Sequence, residues 1–112
     1  MKKKIAILGS TGSIGKSLIE IIKKNKNQFE IVLLTANKND KLLLQQAKSL
    51  NVKNIIISEK SKYQNIVNKI KNIKVYNNFN NLNKIFKTKI DYIMSAITGI
   101  DGLEPTYLSI KH

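Results

Sequence analysis

Three glycines spaced three apart follow directly on the first apolar run of the chain. Within KIAILGSTGSIG (residues 4–15), Ile5, Ala6, Ile7 and Leu8 give way to Gly9, Gly12 and Gly15. Leu18, Ile19, Ile21 and Ile22 then place apolar side chains at near-helical spacing. Buried strand, tight turn and helix, in that order, form the βα unit that holds the phosphates of a nucleotide. Each glycine has its own task. The first lets the chain turn sharply at the strand end, the second leaves out the Cβ that would block a pyrophosphate, and the third lets helix and strand pack closely. The free N–H groups and the dipole of the helix N-terminus then favour the phosphate charge.

Two kinds of phosphate cradle need separating. A P-loop requires G-x-x-x-x-G-K-[ST]. Gly15-Lys16-Ser17 matches its end, but the first glycine would fall on Ser10, and Gly9 stands one position too early. The dinucleotide spacing G-x-G-x-x-G is also not met literally, because its second glycine would fall on Thr11. What stands here is G-x-x-G-x-x-G, a dinucleotide turn lengthened by one residue.

The second apolar run, Phe29 to Thr35 (FEIVLLT), bears on which dinucleotide fits. An Asp or Glu about 20 residues beyond the glycines would accept hydrogen bonds from a ribose 2′-hydroxyl and repel a 2′-phosphate. The chain instead reads Thr35-Ala36-Asn37-Lys38-Asn39, a lysine between two amides with no carboxylate. That chemistry suits NADP. Asp40 follows and is expected to cap the next helix.

Alternating apolar segments continue along the 112 residues. A first helix is expected over Ser13 to Asn25, with Lys23 and Lys24 complementing the dipole in its last turn. A second runs from Asp40 through Leu50 on the apolar face Leu42, Leu43, Ala47 and Leu50. Val52 to Ser58 reads as a strand, Ser61 to Asn72 as a helix carrying Tyr63, Ile66, Val67 and Ile70, and Ile73 to Tyr76 as a short strand. Leu82, Ile85 and Phe86 suggest a short helix, Ile90 to Ile97 a strand, and Leu103 onward another helix with Pro105 near its start. This rhythm predicts an α/β fold: a Rossmann-like doubly wound, mostly parallel sheet between helices, in three αβα layers. YLSIKH ends in mid-helix without a capping glycine, as in an N-terminal domain cut from a longer protein.

Composition narrows the function classes. Twenty basic residues against seven acidic ones give a net charge of +13, which could signal nucleic acid. All twenty are lysine, none is the arginine that bidentate phosphate and guanine recognition favours, and they are spread evenly along the chain. Solvated lysine faces are therefore expected, with no specific nucleic-acid partner. The absence of cysteine excludes disulfides and thiolate metal sites within these residues. No apolar run approaches the ~20 residues of a membrane span. MKKK leads straight into a strand without a signal-peptide core, so a cytoplasmic location is expected.

GSTGSIG after an N-terminal strand, ANKN after the second, and SAITGIDGLEPT further on together resemble the N-terminal domain of the 1-deoxy-D-xylulose 5-phosphate reductoisomerase family, over essentially all 112 residues. The resemblance implies an enzyme of non-mevalonate isoprenoid biosynthesis (the MEP pathway). Such an enzyme isomerises 1-deoxy-D-xylulose 5-phosphate and reduces it with NADPH to 2-C-methyl-D-erythritol 4-phosphate, as a homodimer using magnesium or manganese. It implies a cofactor site in which Thr11, Gly12, Ser13 and Ile14, between Gly9 and Gly15, face the phosphates. Asn37, Lys38 and Asn39 would meet the ribose phosphate, and the stretch Ala96-Ile97-Thr98-Gly99 would run beside the cofactor, with Ala96 and Gly99 lining it. The family usually has Gly-Lys-Asn where this chain has Asn37-Lys38-Asn39, and Asn tolerates a positive φ better than most residues. Metal-binding carboxylates, substrate-phosphate ligands and a catalytic histidine are implied to lie downstream. No catalytic or metal-ligating residue is therefore assigned here, and no turnover is expected from this chain alone.

Two alternatives stay open from the residues. Semialdehyde and acyl-phosphate reductases also use a G-x-x-G-x-x-G turn, but they need a catalytic cysteine that these residues lack. A basic nucleic-acid-binding module ranks third, since no Lys/aromatic interleaving is present.

Overall fold

The short apolar runs become strands, the first three of them largely buried, and the amphipathic segments between them become helices. The computed structural model describes residues 2–67, 70, 72–78 and 90–96, together with the backbone of residues 106–109. Its elements are β1 (Lys3–Leu8), α1 (Ser13–Lys24), β2 (Phe29–Ala36), α2 (Asp40–Leu50), β3 (Asn54–Ile57), α3 (Lys60–Ile66), β4 (Lys74–Tyr76), β5 (Tyr92–Ser95) and β6 (Thr106–Ser109). They build one sheet in the order β4-β3-β2-β1-β5-β6. The first five strands are parallel and β6 is antiparallel to β5. The architecture is Rossmann-like αβα, as the alternation of apolar segments predicts.

The core explains why these strands read as continuous apolar runs. On one face of the sheet, Ile5, Ile7, Ile31, Leu34, Ile55 and Ile57 pack against Ile19 and Ile22 of α1, Leu43 and Ala47 of α2, and Ile66 of α3. The opposite face carries a second buried cluster of Ala6, Leu33 and Ile56, flanked by Leu8, Val32, Tyr76 and Ile93. A parallel sheet buried on both faces needs apolar side chains at successive positions rather than at alternate ones. An irregularity in the β1–β2 pairing, between Ile5 and Ala6, leaves Val32 as an extra residue between Ile31 and Leu33. Ile31 and Leu34 consequently share the helix face although they are three residues apart, a placement that simple alternation along FEIVLLT would not give.

Several boundaries differ from expectation. Ile21 points away from the core and is 57% exposed, while Gly15, Ile19 and Ile22 of α1 are buried and Leu18 partly so. Helix α3 ends at Ile66 rather than continuing to Asn72; Asn65 and the β-branched pair Ile66-Val67 are weak helix formers. Strand β5 begins at Tyr92, not at Ile90. The Asp91 carboxylate accepts the Lys4 N–H (2.7 Å) while its own N–H donates to the Lys4 carbonyl (2.9 Å), so a side chain replaces a backbone group at the start of the ladder.

The helix expected from Leu103 is overturned where the chain is described: Thr106–Ser109 is strand β6. Its backbone pairs Thr106 with Ser95 and Ser109 with Tyr92. Thr and Tyr favour strands, and the outer edge of β5 offers backbone groups for them to pair with. The short helix expected around Leu82, Ile85 and Phe86 lies outside the described residues.

Candidate cofactor-binding site

The chain reverses direction across the sheet at β1: successive strands step outward to β4, and the next strand, β5, lies on the other side of β1. Open α/β sheets bind ligands at this switch point, outside the carboxyl ends of the strands. The glycine turn sits there. Gly9 adopts φ 76°, a left-handed conformation that a Cβ would strain. Its N–H donates to the Thr35 carbonyl (3.1 Å) and to Thr35 Oγ1 (3.0 Å), and the Ser10 N–H donates to the same carbonyl (2.9 Å). The turn is thus tied to the end of β2.

The other two glycines divide the work as their spacing suggests. A Cβ on Gly15 would overlap the Gly9 carbonyl oxygen and lie 2.6 Å from the Cα and carbonyl carbon of Ser10. Helix α1 can approach the turn this closely only without that atom. A Cβ on Gly12 would meet a single ordinary contact, 3.8 Å to the Gly9 oxygen. Gly12 is exposed and extended (φ −75°, ψ 175°) and stands at the N-terminus of α1, which has no side-chain cap and no acidic residue in its first turn. Fold packing therefore does not require glycine at position 12, and the first N–H groups of α1 are left to an outside acceptor.

The second half of the site follows β2. Asn37, Lys38 and Asn39 are all exposed. Their backbone is held by the exit of β3, where the Ser58 N–H donates to the Ala36 carbonyl (3.0 Å) and the Glu59 N–H to the Asn37 carbonyl (2.8 Å). The helix cap differs from expectation. Asn39, not Asp40, caps α2, its Oδ1 accepting the Leu42 N–H at 3.2 Å. Asp40 becomes the first helical residue, where a carboxylate suits the dipole. Among the described residues only Asn51, at the C-terminus of α2, combines a side chain with positive φ (56°). The turn therefore accommodates Asn37 in place of glycine without using the left-handed region.

This arrangement can be set against known proteins. A family model described as 1-deoxy-D-xylulose 5-phosphate reductoisomerase matches residues 5–112. The chain belongs to this reductoisomerase family. The reductoisomerase of Pelagibacter ubique is 55% identical over 97% of this chain and 29% of its own length. That of Wolbachia pipientis is 39% identical over 97% of this chain and 28% of its own. The chain thus spans under a third of the length of these curated relatives. Among solved structures, the Zymomonas mobilis reductoisomerase in complex with NADPH superimposes with a TM-score of 0.76 at 30% identity, over 91% of this chain and 27% of that one. A reductoisomerase in complex with NADPH, fosmidomycin and magnesium gives 0.73 at 29% identity, over 90% and 26%.

Of the residues that the reductoisomerase resemblance singles out, the structure gathers Gly9, Thr11 and Gly12 in the β1–α1 turn, Ser13, Ile14 and Gly15 in the first turn of α1, and Asn37, Lys38 and Asn39 at the end of β2. Ala96 is buried at the end of β5, its N–H donating to the Leu8 carbonyl (2.7 Å), so it borders the same edge. Gly99 lies outside the described residues. Lys16, the lysine of the P-loop near miss, lines the groove between α1 and α2 with Glu20, Leu42 and Gln45.

Two residues of the site escape a reading of motifs. Ser10 and Gln46 are buried and hydrogen-bonded twice to each other: Ser10 Oγ donates to Gln46 Oε1 (2.7 Å), and Gln46 Nε2 donates to the Ser10 carbonyl (2.9 Å). The available signal was the position of Gln46 on the face of Leu43, Ala47 and Leu50, a polar residue where the helix meets the core. Among the described residues no three His, Cys, Asp or Glu side chains converge as a metal site, and no helix is long and apolar enough to cross a membrane.

Proposed function

We propose that this chain is the NADPH-binding domain of a 1-deoxy-D-xylulose 5-phosphate reductoisomerase. The observation that carries this is the pairing of an uncapped α1 N-terminus beside the open Gly12 with a carboxylate-free loop after β2. The N–H groups of Ser13 and Ile14, with Thr11 and Gly12, receive the pyrophosphate. Helix dipole and orphan donors both favour the anion there. Asn37, Lys38 and Asn39 receive the 2′-phosphate. Because Asn39 Oδ1 is committed to the helix cap, its amide N–H groups are what remain to donate. Gly9 and Gly15 shape the turn, and Ala96 and Gly99 border the cofactor's path.

NADPH supplies the hydride when bound; this chain's residues bind and orient it. The whole protein is proposed to isomerise and reduce 1-deoxy-D-xylulose 5-phosphate to 2-C-methyl-D-erythritol 4-phosphate in isoprenoid biosynthesis, as a cytoplasmic homodimer. The described residues do not fit a divalent metal. Metal binding, substrate phosphate binding and catalysis are assigned to the two-thirds of the relatives' length that this chain does not span, and the chain alone is expected to turn nothing over. Titration of the 15N-labelled chain with NADPH tests the site. Amide shifts should concentrate in residues 9–15 and 37–39. Shifts concentrated instead at the opposite end of the sheet, in the cleft lined by Lys2, Lys26, Phe29 and Asn51, would contradict the proposal.

A further inference from the structure

We propose that Gln46 is a positioning residue that locks the glycine turn to helix α2, and through it to the 37–39 loop, so that the two phosphate-binding halves stay at a fixed separation. The inference rests on the cofactor reading above and adds to it a residue that touches neither phosphate.

The geometry is specific. Ser10, Thr35 and Gln46 are the buried polar side chains at this edge, with exposures of 0%, 3% and 4%. Ser10 Oγ reaches both Gln46 Oε1 (2.7 Å) and the Thr35 carbonyl (3.5 Å), and Gln46 Nε2 returns to the Ser10 carbonyl (2.9 Å). A glutamine amide offers one acceptor and two donors, and here it satisfies the hydroxyl and the carbonyl of the same residue. Gln46 lies two helical turns along from Asn39, the residue that caps α2 and ends the ribose-phosphate loop. A helix is stiff over two turns, so fixing Gln46 on Ser10 fixes Asn39 relative to Gly9–Gly12. A core-facing leucine would bury area at position 46 but leave the Ser10 carbonyl without its amide donor and the Ser10 hydroxyl with only its long contact to the Thr35 carbonyl, at a cost that apolar contact does not recover.

A lock of this kind has a consequence that plain stabilisation lacks. NADPH spans both halves and gains from their fixed separation, because no binding energy is spent on ordering them. Adenosine 2′-monophosphate meets only the 37–39 half and gains nothing. The near-isosteric Gln46→Met should therefore weaken NADPH by about tenfold and leave adenosine 2′-monophosphate within about twofold. Ser10→Ala, which keeps the Ser10 carbonyl for Gln46 Nε2, should show a smaller loss of the same kind.

The experiment measures both affinities calorimetrically for the chain and the two variants, together with amide hydrogen exchange without ligand. Faster exchange at Gly9 and Ser10 and also at Asp40 and Leu42, with Ile55–Ile57 unchanged, supports the coupling. Faster exchange at Gly9 and Ser10 alone overturns it, as does an equal loss of both ligands. If the unsubstituted chain binds neither ligand, the cofactor reading fails by itself, and the exchange pattern still decides whether the two segments are coupled.

Discussion

Alanine at Gly15 and alanine at Gly12 should have opposite consequences, although both add one methyl group to the same turn. At Gly15 the new Cβ lies 2.6 Å from two backbone atoms of Ser10, roughly 0.8 Å short of ordinary contact at 3.4 Å, and overlaps the Gly9 oxygen. None of these atoms can swing aside, because the Gly9 and Ser10 N–H groups are tied to Thr35 and the Ser10 carbonyl to Gln46. Overpacking against a fixed neighbour costs about 3 kcal/mol at the upper end. Alanine recovers about 1 kcal/mol of helix propensity over glycine. The net loss of about 2 kcal/mol corresponds to a melting temperature lower by roughly 8 °C in a domain of this size. At Gly12 the nearest atom is 3.8 Å away and the backbone is already extended, so the melting temperature should stay within about 2 °C. NADPH affinity should nonetheless fall by at least about tenfold, since the methyl group occupies the space left for the pyrophosphate. Thermal melts followed by circular dichroism, with calorimetry on Gly12→Ala, check both. A Gly15→Ala chain melting with the unsubstituted one, or a Gly12→Ala chain as destabilised as Gly15→Ala, would refute this division of labour.

Lys38→Glu places a carboxylate in the loop expected to meet the 2′-phosphate, and should reduce the NADPH-over-NADH affinity ratio by about tenfold with the fold unchanged, read by titration of each nucleotide. Thr35→Val removes the Oγ1 acceptor but leaves the Thr35 carbonyl for the Gly9 and Ser10 N–H groups, so chemical denaturation should show a loss of about 1 kcal/mol. Asp91→Ala leaves the Lys4 N–H without its 2.7 Å carboxylate partner and should cost about 1–2 kcal/mol in the same assay. Asn51→Gly relieves the positive φ at the end of α2 and should stabilise by about 0.5 kcal/mol.

The glycine turn was the most legible part of the molecule because each of its constraints is local. Positive φ at Gly9 and the crowding at Gly15 are steric demands that only glycine meets. The parallel sheet was legible for a related reason: Ile55-Ile56-Ile57 has no polar alternate, so it must be buried on both faces. What escaped was decided by partners distant in sequence. Thr106–Ser109 carries apolar residues that fit a helix or a strand, and the edge of β5 selects the strand. Asn39 rather than Asp40 caps α2 because its side chain meets the Leu42 N–H, a one-residue offset that residue type does not decide, since Asn and Asp both cap well. Gln46 could be placed on a core-facing helix stripe, but its partner is 36 residues away, and no motif joins them. The ends of α3 and the start of β5 shifted because Val67 and Asp91 favour local geometry over continuing the element.

The most direct measurement of the account is a calorimetric titration of the folded chain with NADPH and with NADH at about 0.15 M salt. Clear binding of NADPH with weaker binding of NADH is the predicted result, because the open Gly12 and the α1 N-terminus serve both nucleotides and the carboxylate-free loop after β2 serves only one. Equal affinities would contradict the assignment of Asn37, Lys38 and Asn39 to a 2′-phosphate. A folded chain that binds neither nucleotide would contradict the cofactor site itself.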